Sequence, residues 1–97
     1  MRQDVENIVG EHFGVTIDQL HNPKCDSRNT MDARHFLWYI LHHVLGYKMS
    51  TLVEEYHTTE RNIAHHIAKI KDGVQLQPFY ARHCGELMKQ LREMNIL

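Results

Sequence analysis

The sequence predicts an all-α protein, a compact bundle of about six helices that contains a helix-turn-helix. Apolar residues recur at three-and-four spacing along most of the chain, and glycine, proline or polar turns separate the periodic segments. With 97 residues, of which 42% are hydrophobic and 24% charged, the chain has the size and composition of one globular domain. We therefore expect residues 1–97 to fold around a single core.

Three helices are predicted in the first half of the chain. An amphipathic pattern that stops at Gly14 predicts a first helix to about residue 12. The Thr-x-x-Gln pattern of a capping box at 16–19 begins a short second helix, which ends before Pro23. Residues 21–30 are polar and aperiodic, so we expect a loop. A long helix with a wide apolar stripe is then expected from Thr30 to Gly46, at the centre of the core.

Two amphipathic segments joined by a polar turn predict the helix-turn-helix at about residues 49–71. The first segment keeps helical spacing for only two turns. The second begins near Thr59 and has apolar residues at helical spacing, namely Ile63, Ile67 and Ile70. Asp72-Gly73 is expected to end the second segment, and Pro78 suits the first position of a last helix.

The second helix of this motif has a polar outer face of the kind that enters the major groove of DNA. If the isoleucines face inward at 100° per residue, four polar side chains point outward: Arg61, Asn62, His65 and Lys69. Arginine can bind guanine and asparagine can bind adenine with two hydrogen bonds each, whereas Lys69 suits a phosphate. Thr58 and Thr59 lie where free backbone N–H groups can hold a phosphate, although such residues often act only as N-caps.

The net charge of the whole chain argues against DNA binding, whereas the charge of its central part supports it. The formal net charge is −1, which is low for a nucleic-acid binder. Residues 1–23 carry one base and four acids, giving −3, whereas residues 24–71 carry seven bases and five acids, giving +2. Residues 72–97 are balanced. The excess of bases therefore coincides with the predicted DNA-contacting part of the chain.

The order of these segments resembles the C-terminal DNA-binding domain of the bacterial replication initiator DnaA over about residues 4–94. The stretches that carry the resemblance are VENIVGEHFGVTIDQL, SRNTMDARHFLWYILHHVLGYKMSTLVEEY and NIAHHIAKI. The resemblance implies a Trp-repressor-like helix-turn-helix and sequence-specific binding of double-stranded DNA, at replication origins or in transcription regulation. It also implies a bacterial protein that acts in the cytoplasm, associated with the nucleoid.

By the same resemblance, individual residues take DNA-contacting roles. Arg28 corresponds to the family's loop arginine that enters the minor groove, and Lys24 and Arg34 correspond to basic positions near the phosphate backbone. His65 and Lys69 correspond to a histidine and a lysine of the recognition helix. The family's Gly-Arg-Asp-His-Thr-Thr at the start of that helix is HTTERN here, one residue shorter. We therefore expect a DNA target other than the family's usual one.

No pattern in the sequence predicts an enzyme, a cofactor or a metal site. The GxxxxGK[ST] loop of the family's ATPase module does not occur, so nucleotide binding is not expected. The nine histidines include no His-x-x-x-His pair, and Cys25 and Cys84 are expected to be free thiols. The longest apolar run is shorter than the roughly 20 residues of a membrane span, and no signal-peptide pattern is present, so we expect an intracellular protein.

An alternative function is a protein-interaction module on a helix-turn-helix scaffold that has lost DNA binding. The near-zero net charge and the altered start of the recognition helix favour it. The two functions predict different surfaces, because a DNA-binding face requires bases that are not interrupted by Glu54, Glu55 and Glu60. The DNA target and the oligomeric state do not follow from the sequence.

Overall fold

The computed structural model describes all residues, 1–97, and its regular elements are all helices. They are α1 (Arg2–Phe13), α2 (Ile17–His21), α3 (Arg28–Trp38), α4 (Met49–Tyr56), α5 (Glu60–Leu76) and α6 (Pro78–Glu93). A π-helical segment, Tyr39–Val44, continues α3. The bundle measures 28 × 27 × 26 Å, and the predicted all-α fold of about six helices is confirmed.

One cluster of 19 buried hydrophobic residues, drawn from all six helices, forms the core. The predicted central helix supplies the largest share, from α3 and its π-helical continuation: Ala33, Phe36, Leu37, Trp38, Ile40 and Leu41. Because burial of apolar surface is the main force that favours folding, this helix organises the packing of the others. No helix of the structure combines the length and the apolar character that crossing a membrane requires.

Local sequence signals set several of the helix ends. Gly14 ends α1 in the left-handed conformation, with φ 71°. The predicted capping box begins α2, since the Thr16 hydroxyl accepts from the Gln19 N–H at 3.1 Å and the Gln19 side chain accepts from the Thr16 N–H at 2.8 Å. Pro78 occupies the first turn of α6, where its missing N–H is not needed.

Two predicted boundaries were wrong. α3 begins at Arg28 instead of Thr30, because the Ser27 hydroxyl accepts from the Thr30 N–H and caps the helix. α5 does not end at Asp72-Gly73 and continues to Leu76. Gly73 is buried, and a Cβ there would lie 2.4 Å from the Tyr80 ring. This glycine therefore allows α5 and α6 to approach closely.

Gly10 marks a second close approach, between α1 and the turn before α2. A Cβ at Gly10 would lie 2.5 Å from the Val15 carbonyl oxygen, and the Val15 N–H donates to the Gly10 carbonyl at 2.8 Å. We expect Gly10→Ala to lower the free energy of unfolding by about 1–3 kcal/mol, because backbone atoms must shift. Gly85→Ala is the control, since a Cβ at this helical position meets nothing within 4 Å. We expect it to raise the free energy of unfolding by about 0.5–1 kcal/mol in urea denaturation, and equal effects of the two substitutions would contradict the close contact.

Candidate nucleic-acid interface

A tight turn joins α4 to α5 and completes the helix-turn-helix. His57 adopts the left-handed conformation at φ 53° and ends α4, a position more often taken by glycine. The Thr58 N–H donates to the Val53 carbonyl at 3.3 Å. Thr59 returns to extended backbone and is the N-cap of α5. The chain therefore reverses between the two helices within residues 57–59.

Thr59 caps α5, and Thr58 contacts a side chain in the first turn of that helix. The Thr59 hydroxyl accepts from the Asn62 N–H at 3.1 Å, and the Asn62 side-chain amide donates to the Thr58 hydroxyl at 2.9 Å. The capping role is thus observed for Thr59, whereas the Thr58 hydroxyl holds the side chain of Asn62. Asn62 itself is exposed, with its side chain held along the first turn of the helix.

The orientation of α5 agrees with the predicted helical face. Ile63, Ile67 and Ile70 are buried, with exposed fractions of 0%, 6% and 1%. The four polar side chains predicted to face outward are all exposed: Arg61, Asn62, His65 and Lys69. Three of these, together with Thr59, line one shallow recess of about 280 Å³: Arg61, Asn62 and His65. Hydrogen-bonding groups of different residue types therefore lie side by side on an open surface.

A larger groove, of about 760 Å³, runs between the beginning of α3, α5 and the beginning of α6. It brings together two of the predicted DNA-contacting bases, Arg28 and Lys69. Arg28 is exposed and is the first residue of α3, so it projects from a helix start and not from a loop. Asp26 and Asp32 line the same groove, so its charge is mixed.

Two histidines in the wall of this groove connect α3 to α5. His35 and His66 stack nearly parallel, with ring centroids 3.5 Å apart and an interplanar angle of 10°. Burial lowers the pKa of His35 to about 3, and the coulombic effects of His66 and Lys69 lower it further. Burial is also the largest cause that lowers the pKa of His66, and the coulombic effects of His65 and Lys69 lower it further. Both rings are therefore neutral near pH 7, and they serve packing instead of adding positive charge.

Arg34 has different surroundings from those that the resemblance implies for a residue near the DNA backbone. The Arg34 guanidinium donates to the carbonyls of Leu20 at 3.0 Å and Gln19 at 2.9 Å, and also to that of Asn22. These carbonyls lie at the end of α2, where a cation compensates the helix dipole. Arg34 therefore fixes the loop that begins at Asn22, and Lys24 is exposed on that loop.

A buried polar network that the sequence analysis missed holds α4 in place. Glu6 of α1 is 2% exposed, and its carboxylate accepts from the Tyr56 hydroxyl at 2.7 Å and pairs with His21 Nε2. His21 Nδ1 lies 3.1 Å from the Glu55 carbonyl oxygen. Because Tyr56 is the last residue of α4, the network fixes α4 directly before the turn. Its sequence signal is an acid beside Val5 and Val9, on the apolar side of α1.

The chain matches no protein-family model and no curated protein. The resemblance to DnaA C-terminal domains therefore stays a prediction that depends on the quoted stretches. Glu54 of α4 and Glu60 of α5 are exposed within the motif, whereas Glu55 forms an ion pair with Arg2 at 3.1 Å. None of these three acids lines the recess or the groove.

Proposed function

We propose that the protein binds double-stranded DNA, with α5 as the recognition helix, in replication initiation or in regulation. The observation that carries the proposal is the division of α5 into a buried isoleucine side and an exposed side with Arg61, Asn62 and His65. A helix can enter the major groove only if such a side is open and rich in hydrogen-bonding groups. The fixed position of α4 supports the proposal further, because a bracing helix must hold the recognition helix rigidly.

Each exposed residue has a role that follows from its chemistry. Arg61, Asn62 and His65 share one recess, so they are suited to adjacent base pairs in the major groove. Lys69 lies more than one turn further along α5 and suits a phosphate. Arg28 and Lys69 line the same groove of the protein. Arg28 is therefore placed to reach the neighbouring minor groove or the phosphate backbone of the DNA. Lys24 adds a charge on the loop before α3.

Titrating a labelled duplex of random sequence at low salt tests the proposal. Binding is expected to weaken as salt rises, because Lys and Arg displace counterions from phosphates. Lys69→Ala is expected to weaken binding to all sequences alike and to reduce the slope of log K against log salt by about 1. Lys89→Ala, an exposed lysine of α6, removes the same charge and is expected to leave the slope unchanged. An unchanged slope for Lys69→Ala would remove this residue from the interface.

The alternative, a protein-interaction module, is favoured by the two aspartates in the groove. Asp26 and Asp32 lie with Arg28 and Lys69 along one surface, and acidic groups there oppose a phosphate backbone. The same titration separates the two functions. Absence of binding to duplex DNA at low salt would exclude the DNA-binding proposal and leave the interaction module.

A further inference from the structure

A cluster of two histidines and a glutamate joins α1 to α6, and nothing in the DNA-binding proposal uses it. His12 lies on the last turn of α1, and His83 and Glu86 lie three residues apart on one side of α6. His12 Nε2 is 2.7 Å from His83 Nδ1 and 3.7 Å from a Glu86 carboxylate oxygen. The three potential ligand atoms all lie within 4.8 Å of one another.

These distances are close to those of a zinc site. Zinc bonds to histidine nitrogen and carboxylate oxygen at about 2.0–2.2 Å, which places the ligands of a tetrahedral site about 3.3 Å from each other. The distances from His12 Nε2, 2.7 and 3.7 Å, lie on either side of that value. The third pair, His83 Nδ1 and the Glu86 carboxylate, lies within 4.8 Å, so the exposed Glu86 side chain would have to move by up to about 1.5 Å to accommodate an ion between the two helices.

The surroundings of the cluster also suit a metal ion. The His12 side chain is only 9% exposed, whereas that of Glu86 is 53% exposed, so the cluster has a buried side and an open side. The rings of Phe13, Phe36 and Phe79 pack around His83, with centroids 5.1, 5.7 and 4.6 Å away. Such an apolar shell strengthens a metal site by limiting the access of water.

We propose that His12, His83 and Glu86 bind a divalent transition-metal ion, of which zinc is the best match. The ligands are His12 Nε2, His83 Nδ1 and one Glu86 oxygen, and a fourth position remains for water on the exposed side. Two imidazoles and one carboxylate form a mixed nitrogen and oxygen set, which suits zinc better than magnesium or calcium. The bound ion links the first and last helices of the bundle.

The sequence does not reveal this site, because its ligands are not neighbours on one helix. His12 and His83 are 71 positions apart, and only the packing of α1 against α6 brings them together. The nearest local signal is the His-x-x-Glu spacing at residues 83–86, which is too common to indicate a metal alone.

Titration of the metal-free, untagged chain with Co²⁺ tests the proposal, because an affinity tag would itself bind the ion. One Co²⁺ per chain is expected, with visible absorption bands of a four-coordinate site that one equivalent of Zn²⁺ removes. Glu86→Gln and His83→Gln are expected to lower the affinity at least about tenfold, since each removes a direct ligand. His43→Gln is the matched control, because His43 is exposed and outside the cluster.

Thermal unfolding with and without Zn²⁺ gives a second measurement that does not depend on spectra. Zn²⁺ is expected to raise the melting temperature of the original chain and of His43→Gln, and to raise that of Glu86→Gln less at the same Zn²⁺ concentration. Because Glu86 is largely exposed, its variant is expected to fold. Equal affinity of the original chain and both ligand variants for Co²⁺, or no stoichiometric binding, would overturn the proposal. DNA titration of the metal-free chain tests the other proposal independently.

Discussion

Removing the carboxylate of Glu6 is expected to destabilise the fold by about 3–5 kcal/mol, because buried polar partners lose their common acceptor. The Tyr56 hydroxyl and His21 Nε2 both contact the Glu6 carboxylate, and Tyr56 is only 3% exposed. In Glu6→Ala, water cannot replace the acceptor without opening the contact of α1 with α2 and α4. The midpoint of thermal unfolding is expected to fall by roughly 10 °C or more, given about 4–8 °C per kcal/mol for a domain of this size.

Glu11→Ala is the matched control for this substitution. Glu11 lies on the same helix, carries the same charge and is exposed, so its removal is expected to change the free energy of unfolding by less than about 0.5 kcal/mol. Tyr56→Phe removes one hydrogen bond and keeps the ring, so a smaller loss of about 1–1.5 kcal/mol is expected. Urea denaturation measures all three. If the free energies of unfolding of Glu6→Ala and Glu11→Ala differ by less than about 1 kcal/mol, the network does not hold α4 in place.

The helices could be predicted from the sequence where their ends depend on local chemistry. Gly14, the capping box at residues 16–19 and Pro78 each act within a few residues of chain, and the structure uses each as expected. The two errors arose where a local signal has more than one meaning. A glycine such as Gly73 can end a helix or allow another helix to approach, and only the position of Tyr80 decides which.

The candidate interface shows the same division between local and long-range information. The exposed side of α5 follows from a period of 100° per residue and three isoleucines, so it could be predicted. The contacts of Arg34 could not be predicted, because its carbonyl partners lie 12 to 15 residues earlier in the chain, at the end of α2. Glu6 and Tyr56 are 50 residues apart, so no pattern in a single sequence connects them.

Reversing the charge of Arg61 is expected to have the largest effect on DNA binding of any single substitution in α5. Arg61 is exposed, lies on the first turn of the helix and lines the recess with Asn62 and His65. Loss of an arginine that contacts a base costs about 1–3 kcal/mol, or roughly 5- to 150-fold in affinity. Arg61→Glu adds repulsion from the phosphates to that loss, so we expect the upper part of this range at low salt.

The control must carry the same change in net charge, because any protein that becomes more acidic binds DNA more weakly. Arg92→Glu meets this requirement, since Arg92 is exposed on the last turn of α6 and lines neither the recess nor the groove. Its effect is expected to be a few-fold and to vanish at moderate salt, where charges further apart than about 10 Å are screened. The effect of Arg61→Glu should persist there, because a group in direct contact with DNA is screened less. Equal losses for both variants at every salt concentration would show that α5 does not contact the duplex and that only the overall charge of the protein matters.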